Sequence, residues 1–279
     1  MSSISPESAD LGADRVRLLS LPQIPEPRGN LTALEELVDL PFRIGSVRWF
    51  YDVPAGASWS AGEPGLGPAV VIALSGSFDV VVEQPADASR IRLSRASAAV
   101  TVPARARCSA QDASTNSVGL VISSQPPRRP VGERYRKPDA LPVDTTVDDC
   151  SAASLGRRHG PAGSTTEVVS RTDIPFDLMR VYYLYDVPAG ASRGGHAHLQ
   201  LEQVLLAAAG SFDVVLDDGR RVKTVRLDRP EFGICISTGI WRELQNFSSG
   251  AICLALASAP YEEADYIRDY GEFRRMKGA

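Results

Sequence analysis

Two of the three histidines in this chain of 279 residues, His196 and His198, stand one residue apart within YYLYDVPAGASRGGHAHLQLEQVLLAAAG, Tyr182 to Gly210. On a β-strand, residues i and i+2 share a face, so this spacing points both imidazoles one way and Ala197 the other. Imidazole titrates near neutrality, and a same-face pair inside an enclosed fold suits proton transfer. Around the pair lie other side chains able to take part in such chemistry. Tyr183 and Tyr185 alternate onto one face of the preceding run, Arg193 lies just before the histidines, and Glu202 and Gln203 follow them. Trp241 and Arg242 belong to a later run, GIWRELQN, expected to face the same interior. The third histidine, His159, reads as a solvated surface residue of a linker.

The elements that must position these residues are short runs rich in Val, Ile, Leu and Tyr, broken by Gly, Pro, Asp and Ser. That pattern predicts an all-β sandwich or barrel. It also repeats. YDVPAGAS occurs at Tyr51 to Ser58 and again at Tyr185 to Ser192, and GSFDVV at Gly76 and Gly210, both at an offset of 134 residues. The chain is therefore read as two copies of one barrel from an internal duplication. The expected division is a disordered segment 1–14, a first barrel 15–124, a linker 125–143 rich in Pro and Arg, and a second barrel 144–279. At the same offset His196, His198, Arg193, Glu202, Gln203 and Arg242 meet Gly62, Pro64, Trp59, Pro68, Ala69 and Cys108. The first copy keeps scaffold residues and loses every polar candidate, so a single competent site is expected, in the second copy.

The spacing from Gly190 through His-Ala-His and Glu202 to Gly210 resembles the first motif of the cupins, small jelly-roll β-barrels whose inward-facing residues line a ligand cavity. Metal-binding cupins usually take another histidine from a second motif. Here the corresponding stretch, Ser237 to Asn246, carries Arg242 at the ligand position. A guanidinium stays protonated and has no lone pair to donate, so no metal is expected, although His196, His198 and Glu202 alone have the makings of a facial triad.

Composition narrows the function classes. A formal net charge of −4 and no long basic run leave no electrostatic footprint for nucleic acid. The arginine-rich stretch Arg128 to Lys137 is interrupted by prolines and reads as solvated linker. No segment is long and apolar enough to span a bilayer, and the first residues lack a secretory pattern. Cys108, Cys150, Cys235 and Cys253 show no metal spacing, which fits a reduced cytoplasmic setting.

The second copy further resembles the cupin-type sugar nucleotide 3,4-ketoisomerases. RG-x-HAH, LDRP, GIWRE and the tail DYIRDY, between about Phe176 and Phe273, carry the likeness, and PRGNLTALEE at Pro27 to Glu36 echoes it in the first copy. The resemblance implies conversion of a dTDP-linked 4-keto-6-deoxyhexose to its 3-keto isomer through an enediol, in deoxysugar biosynthesis, without a cofactor. It implies His196 and His198 as the acid/base pair, Tyr183 as a proton relay, and Arg193 as the partner of the diphosphate. Tyr185, Glu202, Gln203, Trp241 and Arg242 are candidate substrate contacts, with Trp241 either stacking on a ligand ring or filling the core, Tyr185 either facing the site or serving as scaffold, and Arg242 holding Glu202 or the sugar; the tail with Tyr266, Arg268 and Tyr270 is expected to pack across the barrel. Family members pair as strand-exchanging homodimers, so the tandem chain is expected to form an internal pseudo-dimer or to pair again as a homodimer. Two alternatives stand beside this reading: a cupin 3- or 3,5-epimerase of the same substrate, and a non-catalytic sugar nucleotide-binding protein.

Overall fold

In a computed structural model, residues 15–62, 67–124 and 141–279 are described. The expected tail 1–14, the Arg128 to Lys137 run and Pro64 lie outside the described residues. The chain is all-β, with two tandem barrels, each made of a seven-stranded sheet and a smaller sheet of four or five strands.

Each large sheet draws strands from both copies. In the first, the strand Ser46–Tyr51 pairs on one side with Val118–Ser123 of its own copy and on the other with Gly163–Val169 of the second. Reciprocally, Arg180–Tyr185 pairs with Ile252–Ala257 and with Gly29–Glu35 of the first copy. The leading hairpin of each copy thus completes the other copy's sheet, and sheet membership crosses the boundaries read from the repeat. His159 follows from this exchange: it sits on the strand Arg157–Gly160 at the edge of the first barrel's sheet, not in a linker, with Nδ1 3.0 Å from Ser164 Oγ.

The duplication extends to backbone detail. Asp52 and Asp186 both take left-handed φ, 54° in each case, at the start of the repeated DVPAG turn. Asp tolerates that region better than most residues because its short polar side chain bonds locally.

Strand alternation divides each large sheet into two apolar faces. One face of each packs against the other barrel in a single cluster that includes Leu34, Trp49, Ile72, Leu120, Phe176, Val181, Tyr183, Leu206 and Leu254. The opposite faces close the two barrel interiors, one around Trp59, Phe78 and Val121, the other around Leu184, Leu205, Phe212 and Cys253. A short C-terminal helix, Tyr270–Lys277, is capped by Asp269, whose carboxylate accepts from Glu272 N at 2.7 Å, and by left-handed Gly278. It buries Phe273 against Trp241 on the outside of the second barrel.

Candidate active site

The geometry of the second barrel begins with a bulge. The strand Arg193–His198 pairs with Trp241–Gln245 in register up to Gly194, shifts, and resumes with His196 opposite Arg242. Gly194 and Gly195 both have positive φ, 86° and 71°, and a Cβ on Gly194 would lie 2.8 Å from Arg242 O. Only glycine fits that approach, and the bulge re-aims the residues that follow. The first copy has Ser60 and Ala61 at these positions. His196 and His198 then project to one face, their ring centroids 5.0 Å apart and nearly perpendicular, while Ala197 turns outward into the cluster under the C-terminal helix.

Three elements converge on the imidazoles. From Trp241–Gln245 comes Arg242, buried, whose Nη1 donates to His196 O at 3.0 Å. From Gln203–Ala209 comes Gln203, also buried. With its amide oxygen toward the guanidinium, it accepts from Arg242 Nε and Nη2 at 2.9 Å each, and its nitrogen donates to Tyr182 Oη at 2.8 Å. From Arg180–Tyr185 come Tyr182 and Arg180, the guanidinium 5.5 Å from the Tyr182 ring. Because Gln203 donates to Tyr182, the phenol proton remains available to another acceptor.

The C-terminal tail closes the arrangement. Tyr266 places its ring 4.9 Å from that of His196 and 4.3 Å from that of His198, with Oη 3.5 Å from Arg180 Nη2. Asp265 Oδ2 lies 2.8 Å from His198 Nδ1.

Electrostatics follow from burial among cations. Burial, and after it the Arg242 charge, lower His196 to about 2 and hold His198 well below the usual imidazole value. Both rings are therefore neutral at neutral pH and free to accept a proton. Burial also raises the Tyr182 phenol, keeping it a donor, and pushes Arg242 down to about 10, still charged at neutral pH.

Several expectations require correction. Tyr183 and Tyr185 do not face the histidines; they lie on the inter-barrel face. Tyr183 is fully buried and donates to Ala96 O of the first barrel, and Tyr185 Oη lies 3.4 Å from Thr32 Oγ1. Their counterparts in the first copy do the same in mirror fashion: Trp49 Nε1 donates to Pro230 O at 3.1 Å, and Tyr51 Oη lies 2.9 Å from Thr166 Oγ1. Both tyrosines are inter-barrel fasteners. Trp241 is on the outer face, its ring 5.2 Å from Tyr270 and 5.6 Å from Phe273, because alternation sends it opposite Arg242. Glu202 does not hold Arg242. Its backbone is fixed to Ser258 by bonds of 2.9 and 3.0 Å just before the strand begins, and burial alone raises its carboxyl. Gln203, on the other side, takes the partner role. Arg193 is buried and already engaged, its Nη1 2.5 Å from Glu26 Oε2 on the exchanged hairpin.

Sequence reasoning placed the tail with Tyr266 across the barrel but missed Arg180, Tyr182 and Asp265 as members of the cluster. For the first two a signal existed. At the repeat offset Tyr183 and Tyr185 meet Trp49 and Tyr51, large rings retained as scaffold, whereas Arg180 and Tyr182 meet Ser46 and Arg48. No group of three or more His, Cys, Asp or Glu arranged to hold a metal ion occurs among the described residues.

The first barrel encloses the opposite arrangement. Trp59, in the place of Arg193, stacks on Phe50 with centroids 3.6 Å apart and meets Phe78 edge-on at 5.3 Å. Gly119, counterpart of Cys253, makes room: a Cβ there would lie 2.7 Å from the indole. Cys108, in the place of Arg242, is buried in the same apolar cluster.

A profile of the family described as FdtA: WxcM-like, C-terminal, matches residues 14–128 and again 148–278, nearly the whole chain in two passes. The chain belongs to this FdtA family. A curated relative, the TDP-4-oxo-6-deoxy-alpha-D-glucose-3,4-oxoisomerase of Aneurinibacillus thermoaerophilus, is 42% identical over 113 residues, 40% of this chain and 81% of the relative. Among solved structures, a 3,4-ketoisomerase from Helicobacter canadensis is 44% identical, over 47% of this chain and 98% of its own, with a TM-score of 0.46. The sugar 3,4-ketoisomerase QdtA from Thermoanaerobacterium thermosaccharolyticum, solved with TDP, is 33% identical over 48% of this chain and 97% of its own, with a TM-score of 0.47. The FdtA profile thus spans both barrels, including the one whose interior is apolar.

Proposed function

We propose that this FdtA-family chain is a sugar nucleotide 3,4-ketoisomerase with one active site, in its second barrel, acting on a dTDP-linked 4-keto-6-deoxyhexose in deoxysugar biosynthesis. The observation that carries the reading is the pair of imidazoles beside the Arg242 guanidinium, anchored by Gln203, inside that barrel. The identity to a curated oxoisomerase supports the choice of substrate.

The chemistry asks little more than these groups supply. In a 4-keto sugar the C3 hydrogen is acidified by the neighbouring carbonyl. One histidine removes it, and the C–H electrons form the C3–C4 double bond as charge moves onto O4. A proton returned to C4, with loss of the O3 hydrogen, leaves the ketone at C3. The net result moves one hydrogen from C3 to C4 and one from O3 to O4, with no electron leaving the sugar. Positive charge fixed beside the developing enediolate stabilises it without reorganisation. Arg242 and Arg180 are the groups assigned to that task. Tyr182 replaces Tyr183 as the proposed relay between the oxygens, since its proton is not consumed by Gln203. Arg193 remains the proposed diphosphate contact, with substrate exchanging for Glu26 on the guanidinium fork.

Incubation with dTDP-4-keto-6-deoxyglucose in deuterated water, followed by NMR, tests the proposal. A 3-keto product labelled at C4 is expected. Label at C3 or C5 with inverted configuration would mean an epimerase, and unaltered substrate that nonetheless binds would mean a sugar nucleotide-binding protein. His196→Asn and His198→Asn variants that fold and still turn over at the wild-type rate would remove the histidines from the mechanism.

A further inference from the structure

The carboxylate of Asp265 has no part in the proton transfers above, yet it reaches the catalytic pair from outside the barrel strands. It belongs to a single helical turn, Glu263–Asp265, in the C-terminal tail, and two of its atoms have separate tasks. Oδ1 accepts from Gln200 N at 2.7 Å, which ties the tail to the loop following the histidine strand. Oδ2 faces His198 Nδ1 at 2.8 Å. That nitrogen is buried and lies out of line for a hydrogen bond, so the contact has the distance but not the angle of one. Hydrogen bonds at catalytic groups are often misaligned without substrate and tighten when it binds.

We infer that Asp265 is a positioning residue that holds His198 with its proton on Nδ1, leaving Nε2 bare to exchange hydrogen with the substrate carbon. The inference rests on the proposed isomerase reading for its kinetic consequence, but the tautomer itself can be read without turnover. Among the described residues, the groups that act most strongly on His198 or stack on it are His196 on its own strand, Arg242 and Arg180 from the two flanking strands, and Tyr266 and Arg268 from the tail. Three of these are cations and none is a carboxylate. Asp265 is thus the group among them able to accept from an imidazole N–H as an anion, and the one whose removal makes His198 less basic. The nearly isosteric Asp265→Asn keeps an oxygen for Gln200 N and turns an amide N–H₂ toward Nδ1. A donor at that position favours the opposite tautomer, with the proton on Nε2.

Nitrogen-15 labelling of histidine in the full chain tests this, since only three histidines are present and His→Asn variants assign them. Long-range proton–nitrogen spectra are expected to show His198 protonated on Nδ1 in the wild type and on Nε2 in Asp265→Asn. In steady state, Asp265→Asn is expected to lower kcat by at least about 10²-fold and up to about 10⁴-fold, the latter being the cost where such a substitution leaves a catalytic histidine in the wrong tautomer. It should leave TDP affinity unchanged. Asp265→Glu should recover part of the rate. A wild-type His198 protonated on Nε2, or an Asp265→Asn variant with unchanged tautomer and kcat, would overturn the inference. Loss of kcat with an unchanged tautomer and weakened TDP binding would also overturn it, as a folding effect only. If the wild type turns over no 4-keto sugar, the isomerase reading fails while the tautomer measurement still decides the role of Asp265.

Discussion

Replacing Arg242 with methionine separates what the guanidinium does for the fold from what it does for the reaction. Methionine is of similar length and apolar, so the buried charge and its desolvation cost disappear together, a change typically neutral or stabilising by about 1–4 kcal/mol. Against this, the Gln203 amide oxygen and His196 O lose their donors, at roughly 1–3 kcal/mol for each group left unsatisfied. The two unsatisfied groups together cost roughly 2–6 kcal/mol against a gain of about 0–4, a net loss of about 2 kcal/mol, so Tm is expected to fall by about 4–8 °C, at about 2–4 °C per kcal/mol for chains near this length. Loss of a preorganised donor at a developing oxyanion instead costs about 10²–10³ in kcat. The pH profile adds an independent sign. After burial, the Arg242 charge is the largest influence holding both histidines down. Without it their values rise, and because the base must be neutral, the acid limb of kcat/KM moves to higher pH. With His196 held at about 2, the wild type is expected to show no imidazole limb between about pH 5 and 9, so a limb entering that window in Arg242→Met is the shift; NMR-monitored conversion across it, with calorimetric Tm, reads rate, limb and stability. An Arg242→Met enzyme within about threefold of the wild-type rate, less than 1 kcal/mol in barrier, and with an unmoved acid limb would refute the assignment.

The two neighbouring tyrosines should part company. Tyr183→Phe leaves Ala96 O without its donor and is expected to lower stability by about 1–3 kcal/mol with kcat unchanged, whereas Tyr182→Phe is expected to lower kcat by about 10² or more; the reverse pattern in rate and Tm measurements would put the relay back on Tyr183. Gly119→Ala drives a methyl into the Trp59 ring and is expected to cost about 1–3 kcal/mol of overpacking, seen as a lower Tm with normal kcat per folded molecule. Residues 144–279 expressed alone lack Gly29–Glu35 and uncover the inter-barrel face, so size-exclusion chromatography should find them dimeric or aggregated; a monomer with the full chain's activity would contradict the exchange of hairpins. Glu26→Gln frees the Arg193 fork, and calorimetry is expected to show tighter TDP binding if Arg193 takes the diphosphate; unchanged affinity would make it a structural arginine.

Much was legible in the chain because it depends on local spacing. A repeat at constant offset shows two barrels, the His-x-His step puts two imidazoles on one face, and Trp59, Ala69 and Cys108 stand in the first copy where the second has Arg193, Gln203 and Arg242. These hold whatever the barrels do to one another. Alternation, however, fixes only which residues share a face, never which face is inside. That choice came from the packing of one barrel on the other: Val181, Tyr183 and Tyr185 cover the inter-barrel contact, which leaves Tyr182 for the site, just as Trp241 goes under the C-terminal helix and Arg242 inward. Contacts between segments far apart in sequence were equally invisible. Glu26 reaches Arg193, and Asp265 and Tyr266 reach His198, only because hairpin exchange and the returning tail bring separate elements together in three dimensions.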